Sequence, residues 1–227
     1  TVVLMMNGQP VDGFMGALPE GQVREFLDKH LPSVEEVEAD EAESEALDAL
    51  AEGDTASALE HLQHAVATDP ANDEARFDYV KLLLQLGRED DAKVAFAPVI
   101  AKAAGSRRLG ALKDWMDALD FVASSAYGAS AGAEFDAKIA ANKRDFEARF
   151  GRARWLMAQQ RWTEAMDELL EILMRDKAWG EEAARKTYVS ILEIIEPPKP
   201  KVAEGQIPPE DPVVATYRRR LSSVVLS

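Results

Sequence analysis

Apolar positions recur with the 3.6-residue period of an amphipathic helix in almost every segment between about residue 39 and residue 196. Segments in that range lack the alternation of apolar and polar residues that is typical of a half-buried strand. A helical period sustained in this way predicts a mainly α fold, built from many short helices packed side by side.

The helical region also repeats itself at an interval of 34 residues, with a more degenerate part before the last copy. Each copy has a turn position, then a small residue, then a large residue one helical turn later: Gly53, Ala58 and Leu62; Gly87, Ala92 and Phe96; Gln160, Ala165 and Leu169. A small residue lets two helices approach closely, and a glycine supplies the positive φ at which a helix can reverse. The interval therefore predicts stacked helix hairpins, with an irregular all-α bundle as the alternative.

The run AxxxLxxAxxxxPxN at residues 58–72 resembles the tetratricopeptide repeat, and the other copies match it less well. The resemblance implies a solenoid in which the first helix of each hairpin lines a concave surface. That surface would present apolar and basic side chains together: Phe77, Lys81, Leu84, Gln85, Phe150, Arg154 and Met157. Such adaptable side chains predict a client-binding groove for extended peptide. The alternative is that these residues simply pack on neighbouring helices.

The first 31 residues follow a different pattern. Residues 2–6 and 11–15 have the character of strands, Asn7-Gly8 between them is a strong hairpin signal, and residues 22–31 have helical spacing. A two-stranded ribbon with one helix cannot cover both faces of its sheet. We therefore expect residues 1–31 to be the ββα end of a larger domain whose earlier part lies upstream. We also expect self-association through this segment.

The other predicted segment boundaries follow from the positions of charged residues and prolines in the sequence. Residues 32–46 are acidic and nearly free of large apolar side chains, which predicts a linker or helix start before a helical domain at residues 47–227. Prolines between residues 197 and 212 predict an extended loop, and Pro212 opens a last amphipathic helix. That helix is expected to cap the solenoid, with Val214, Tyr217, Leu221 and Val224 on its buried side.

Composition and charge exclude several classes of function. Lys and Arg total 26 against 41 Asp and Glu, a formal net charge of −15, which disfavours nucleic acid and anionic membranes as partners. The apolar runs fall short of the roughly 18 residues needed to cross a bilayer. We therefore expect contact with neither nucleic acid nor a membrane. The sequence has no signal-peptide pattern, and the chain is expected to be soluble.

Motifs for catalysis were sought and none was found. The chain has no cysteine, which excludes thiol catalysis and thiolate zinc sites within these residues. His61 and His64 lie three residues apart, but two imidazoles alone make a weak metal site on a face expected to be solvated. Phosphate-binding and hydrolase motifs are missing from the sequence. The sequence thus predicts neither an enzyme nor a cofactor or metal.

A broader resemblance unites these parts. Residues 1–31, with Asn7-Gly8, Gly16-Ala17-Leu18 and the run at residues 21–31, resemble the last two strands and final helix of thioredoxin. The other motifs are Trp179, the run ARKT at residues 184–187 and the run YRRRL at residues 217–221. An acidic junction, degenerate repeats and these closing motifs together resemble the YbbN-type thioredoxin-domain co-chaperones, also called chaperedoxins.

That resemblance implies an ATP-independent holdase of the bacterial cytoplasm with a role in the stress response. It would bind unfolded client proteins and pass them to a chaperonin of the GroEL type, and secondarily to Hsp70. The last helix is the simplest docking element for the chaperonin, through Tyr217, Arg218, Arg219, Arg220 and Leu221. Two alternatives stay open: a tetratricopeptide adaptor for one defined peptide, and a disulfide oxidoreductase whose cysteines lie outside these residues.

Overall fold

A computed structural model describes residues 1–6, 8–124, 130–198 and 209–226, and the structural statements below refer to these. Asn7 of the predicted turn and residues 199–208 of the predicted proline-rich loop lie outside them. The elements follow in chain order: β1 Val2–Met6, β2 Gln9–Phe14, α1 Glu20–Asp28, α2 Val34–Glu52, α3 Thr55–Thr68, α4 Asp73–Gln85, α5 Glu89–Phe96, a 3-10 segment Ala97–Gly105, α6 Arg107–Ser124, α7 Ala131–Ala141, α8 Phe146–Ala158, α9 Trp162–Leu173, α10 Trp179–Ile195 and α11 Pro212–Leu226.

The first three elements confirm the predicted ββα unit. β1 and β2 pair antiparallel from Val2↔Phe14 to Met6↔Gln9, with an irregularity between Leu4 and Met5. α1 contacts this hairpin through Phe26, whose ring meets that of Phe14 edge-to-face at 5.1 Å between centroids. The rest of the unit's apolar surface stays open to solvent, because two strands and one helix leave most of the sheet uncovered.

The acidic segment after this unit is a helix, so of the two alternatives predicted for residues 32–46 the structure has the helix start and not the linker. Ser33 caps α2 reciprocally: its Oγ accepts from the Glu36 amide, and its own amide donates to the Glu36 carboxylate. The buried side of α2 consists of Ala39, Ala42 and Ala46, which pack against α3. A stripe of alanines lacks the large apolar residues by which a buried face is usually found. The first helix after the ββα unit therefore begins at Val34, and the boundary predicted at residue 47 falls within it.

The predicted reversals between helices are confirmed. Gly53 and Gly87 end α2 and α4 with φ of 80° and 72°, in the left-handed region that glycine enters without strain. At the equivalent turn after α8, Gln160 has a φ of 58°. A residue with a Cβ is strained in this conformation.

Two buried arginines tie corresponding hairpins together in the same way. Arg76 of α4 donates to the carbonyls of Pro70 and Ala95, and Arg149 of α8 donates to the carbonyl of Lys143 and to the carboxylate of Glu168. Each arginine thus fastens the turn before its own helix to the helix that follows. The pair α4–α5 and the pair α8–α9 are copies of one unit.

Two large apolar clusters form the core. One includes buried residues of α4, α5 and α6, and the other includes buried residues of α8, α9 and α10. Trp162 packs against both clusters, and its ring meets that of buried Trp115 edge-to-face at 4.7 Å between centroids. α11 closes the far end with Val214, as predicted for a cap. The described helices include none with the length and apolar character needed to cross a membrane.

The Gln160 turn gives a test of the fold. Gln160→Gly should raise the free energy of unfolding by about 0.5 kcal/mol or more, because relief of left-handed strain exceeds the added flexibility of the unfolded chain. Gln159→Gly, where φ is −96°, should lower it by about 0.5 kcal/mol. Urea unfolding of both variants, followed by circular dichroism, measures the two changes. Equal signs for the two substitutions would contradict the strain at this turn.

Candidate partner-binding surfaces

Three of the residues predicted to line a client-binding groove are core residues instead. Phe77, Leu84 and Met157 are almost completely buried. Phe77 and Leu84 lie in the cluster that α6 covers, and Met157 lies in the cluster that α9 and α10 cover. The predicted apolar groove is therefore wrong at these positions, because the next helices of the stack cover the side chains that it would have displayed.

The other predicted groove residues lie apart from one another. Phe150 is half-buried against the ring of Trp179, 5.3 Å away between centroids. The Lys81 ammonium approaches the carbonyl of Glu196, and the backbone carbonyl of exposed Gln85 accepts from Gln160.

Arg154 is the last of the residues predicted to line the client-binding groove. Its guanidinium lies 4.0 Å above the Phe121 ring centre and donates to the carbonyl of Asp117. These contacts link neighbouring helices. The alternative interpretation, packing on neighbours, accounts for the predicted set better than a shared surface does.

A different groove opens between α2, α4, α6 and the end of α10. Its volume is about 400 Å³. The charged side chains on its wall are those of Glu43, Glu74, Asp78, Glu193, Glu196 and Arg108. Five carboxylates around one guanidinium make this surface strongly acidic. An extended peptide that carries lysine or arginine is the partner whose charge fits it.

Arg108 stands at the centre of the groove. Its guanidinium lies 4.0 Å above the buried ring of Phe77 and contacts the carboxylates of Glu74 and Asp78. Burial raises the pKa of Asp78 to about 6, opposed by the charge of Lys81 and reinforced by that of Glu43. Burial also raises the pKa of Glu43. When they are ionised, the five carboxylates of the groove outnumber the single guanidinium on its wall.

The predicted chaperonin-docking residues divide into two groups. Tyr217 and Leu221 face inward and pack against the cluster of α8, α9 and α10, as expected for a capping helix. The Tyr188 hydroxyl donates to the Tyr217 carbonyl at 2.8 Å, and the Tyr217 hydroxyl donates to Asp167. These contacts fix α11 on α9 and α10.

The arginines of α11 are less free than the sequence suggested. Arg218 pairs with Glu196 at 2.7 Å and with Glu210 at 2.6 Å, and Arg220 pairs with Asp167 at 2.6 Å. Arg219 and Arg220 are both exposed, but only Arg219 of the three forms no ion pair with a described residue; it makes a long contact to the Thr216 hydroxyl. The expectation of a free basic cluster is therefore corrected: two of its members hold the cap in place.

The two histidines of α3 join neighbouring helices. His61 contacts Glu45 at 3.0 Å and His64 contacts Glu38 at 3.1 Å, both across the hairpin on α2. The searched residues include no group of three or more side chains that could together hold a metal ion. Nine carboxylates and no lysine or arginine lie on α2, and these two histidine contacts join it to α3.

Comparison with known families agrees with this geometry. Two family profiles, each described as tetratricopeptide repeat, match residues 49–115 and residues 125–225. A search of curated proteins gives no match. Both matches lie in the helical part of the chain, whose stacked hairpins form a tetratricopeptide-like solenoid, an architecture typical of scaffolds that bind other proteins.

The buried side of the cap can be tested with adjacent valines. Val214→Asp should lower the free energy of unfolding by about 3 kcal/mol or more, because it places a carboxylate in an apolar cluster. Val213 is 45% exposed, so Val213→Asp should cost about 0.5 kcal/mol or less. Urea unfolding of both variants measures the difference. Equal effects would show that α11 does not cap the domain.

Asp78 gives a prediction for pH. Its carboxyl binds a proton more tightly in the folded protein than in the unfolded chain, so stability falls as pH rises from about 4 through about 6. Asp78→Asn removes this dependence and should be more stable than the parent by about 1 to 3 kcal/mol above pH 6, with little difference near pH 4. Exposed Asp48→Asn is the control. A difference that does not depend on pH would contradict the assignment.

Proposed function

We propose that this chain is the protein-binding part of an ATP-independent co-chaperone of the bacterial cytoplasm. It holds unfolded client proteins, as in the stress response, and passes them to a chaperonin of the GroEL type and to Hsp70. The tetratricopeptide repeat domain supports the general role of a scaffold. The resemblance of the whole chain to YbbN-type co-chaperones supports the particular one.

The observation that carries client holding is the exposed apolar surface of the ββα unit. Seven of its large apolar side chains are exposed: Val2, Val3, Met5, Met6, Val11, Met15 and Leu31. Three of them are methionines, whose flexible thioethers adapt to partners of varied shape. β1 pairs with β2 alone among the described residues, so its other edge can accept an extended segment as a further strand. Apolar surface beside a strand edge suits a non-native polypeptide.

The same surface favours the self-association expected of residues 1–31. A strand edge with apolar faces pairs with a second copy as readily as with a client. Client binding and self-association would then compete for one surface, and the protein concentration would decide between them.

The handover to a chaperonin has its support in the family resemblance. The outer side of α11 leaves Arg219 available, whereas Arg218 and Arg220 are engaged within the chain. A docking surface on this helix would therefore be centred on Arg219.

A second candidate function is that of an adaptor for one defined peptide. The acidic groove around Asp78 and Arg108 favours it, since lysine or arginine in a peptide would meet the excess of carboxylates there. An adaptor of this kind depends on the groove, whereas a holdase depends on the ββα unit.

Client holding is tested by diluting a chemically unfolded protein into buffer without ATP and following light scattering. The parent chain should suppress the aggregation. Val3→Lys combined with Met5→Lys should weaken suppression about tenfold, because two charges replace apolar contact. Val94→Lys changes a valine that is 75% exposed on α5 and should have no effect.

The oligomeric state of each variant is measured by sedimentation in the same buffer, so that a loss of holding is not confused with a change in self-association. Unchanged suppression by the double variant would exclude the ββα unit as the client surface. If Asp78→Asn loses suppression while the double variant keeps it, the partner depends on the acidic groove and not on the ββα unit. That result would favour the adaptor.

A further inference from the structure

A second cleft, outside the acidic groove, lies between the 3-10 segment, the start of α6 and the outer face of α10. Its volume is about 640 Å³, within the range of sites that take a ligand larger than one side chain. Glu193 is shared by its wall and the wall of the acidic groove, so the two surfaces adjoin. The sequence patterns gave no sign of this cleft, because its walls are about 80 residues apart in the chain.

The lining of this cleft is mainly apolar. Ile100 and Ala104 lie on one side, Val189 on the other, and Gly105 and Gly110 leave the backbone accessible between them. Ile100 is 58% exposed although it is a large aliphatic residue. An apolar side chain of a ligand would remove this surface from water, which is the main source of favourable free energy at such a site.

The charges at the rim differ from those of the rest of the protein. Four cations border the cleft, Arg107, Lys113, Arg185 and Lys186, in a chain whose net charge is −15. Lys186 is exposed and makes no ion pair or side-chain hydrogen bond with any described residue. Lys113 pairs with Asp117 one turn along its own exposed helix face, a contact that is worth little and is easily exchanged.

The three carboxylates at this cleft are already engaged. Glu193 pairs with Arg107 at 2.8 Å, and Glu182 pairs with Arg185 at 3.2 Å. Asp114 accepts a hydrogen bond of 2.6 Å from the Ser190 hydroxyl, and burial raises the pKa of its carboxyl. Lys186 and Lys113 are therefore the groups that a ligand meets first, and both are positive.

We propose that this cleft binds a peptide segment of a partner protein in which apolar side chains alternate with carboxylates. The apolar side chains cover Ile100, Ala104 and Val189, and the carboxylates pair with Lys186 and Lys113. Charge complementarity selects this occupant, because a basic peptide would meet cations at the rim and find better partners in the adjoining acidic groove. The inference relies on the proposed function only in taking a protein as the ligand.

The test uses the full chain and two dye-labelled dodecapeptides, one alternating leucine with aspartate and one alternating leucine with lysine. Fluorescence anisotropy at low salt should show binding of the aspartate peptide. Lys186→Glu should weaken that binding about tenfold, since it turns an attraction into a repulsion. Ala104→Glu, which places a carboxylate on the apolar wall, should weaken it to a similar degree.

Two matched controls separate the cleft from general charge. Ala101→Glu changes an exposed alanine of the same 3-10 segment outside the cleft, and Arg144→Glu reverses an exposed cation in the turn before α8. Neither should change the affinity by more than about twofold. Circular dichroism of each variant checks that it is folded.

Three outcomes would overturn the proposal: no binding of the aspartate peptide, equal binding of the lysine peptide, or equal effects of the cleft variants and the controls. Self-association that Lys186→Glu abolishes would also overturn it, by showing that a second copy occupies the cleft. The aggregation assay separates the two proposals. If cleft variants lose the peptide but still hold clients, both proposals stand, and if the parent binds the peptide but holds no client, only the holdase proposal fails.

Discussion

A pair of short amphipathic helices cannot bury its apolar stripe alone, so every hairpin in this protein depends on the one stacked beside it. Alanines at the crossing points, such as Ala58 and Ala165, let the helices approach until the large side chains interlock. The contact between Trp115 and Trp162 extends the same constraint across the domain, because Trp162 packs against both large clusters. The stack must end somewhere, and α11 supplies the cover that its last hairpin needs.

This constraint decides which surfaces are left for partners. Phe77, Leu84 and Met157 are required by the stack, so they are unavailable to a client. What remains on the outside of the helical domain is mostly charge, sorted into an acidic groove around Arg108 and a cleft with a basic rim and apolar walls. The largest concentration of exposed apolar side chains among the described residues lies on the ββα unit. The exposed surfaces thus differ in character: charged side chains border the groove and the cleft of the helical domain, whereas apolar side chains dominate the surface of the hairpin.

Several charged side chains also stabilise the fold, a role that the sequence pattern does not reveal. Arg76 and Arg149 are buried and fasten the turns of equivalent hairpins, although in the sequence each looks like an ordinary surface arginine with a glutamate two positions before it. Arg218 and Arg220 hold the capping helix to residues that are distant or on other helices. A basic run at the end of an acidic chain suggests a docking site, but here two of its three arginines form ion pairs with carboxylates of the same molecule.

The sequence alone determined the type of most local elements. The 3.6-residue period, the 34-residue interval and the glycines at positions 53 and 87 predicted helix hairpins, and a strand-turn-strand-helix pattern predicted the ββα unit, because these depend on contacts between near neighbours in the chain. The tertiary structure alone decided which face of each helix is covered. A periodic pattern shows that an apolar stripe exists but not which helix will lie on it, so the groove residues were misassigned and the alanine face of α2 was not identified. The basic-rimmed cleft could not be found from the sequence for a similar reason, because its two walls meet only when α10 folds back across α6.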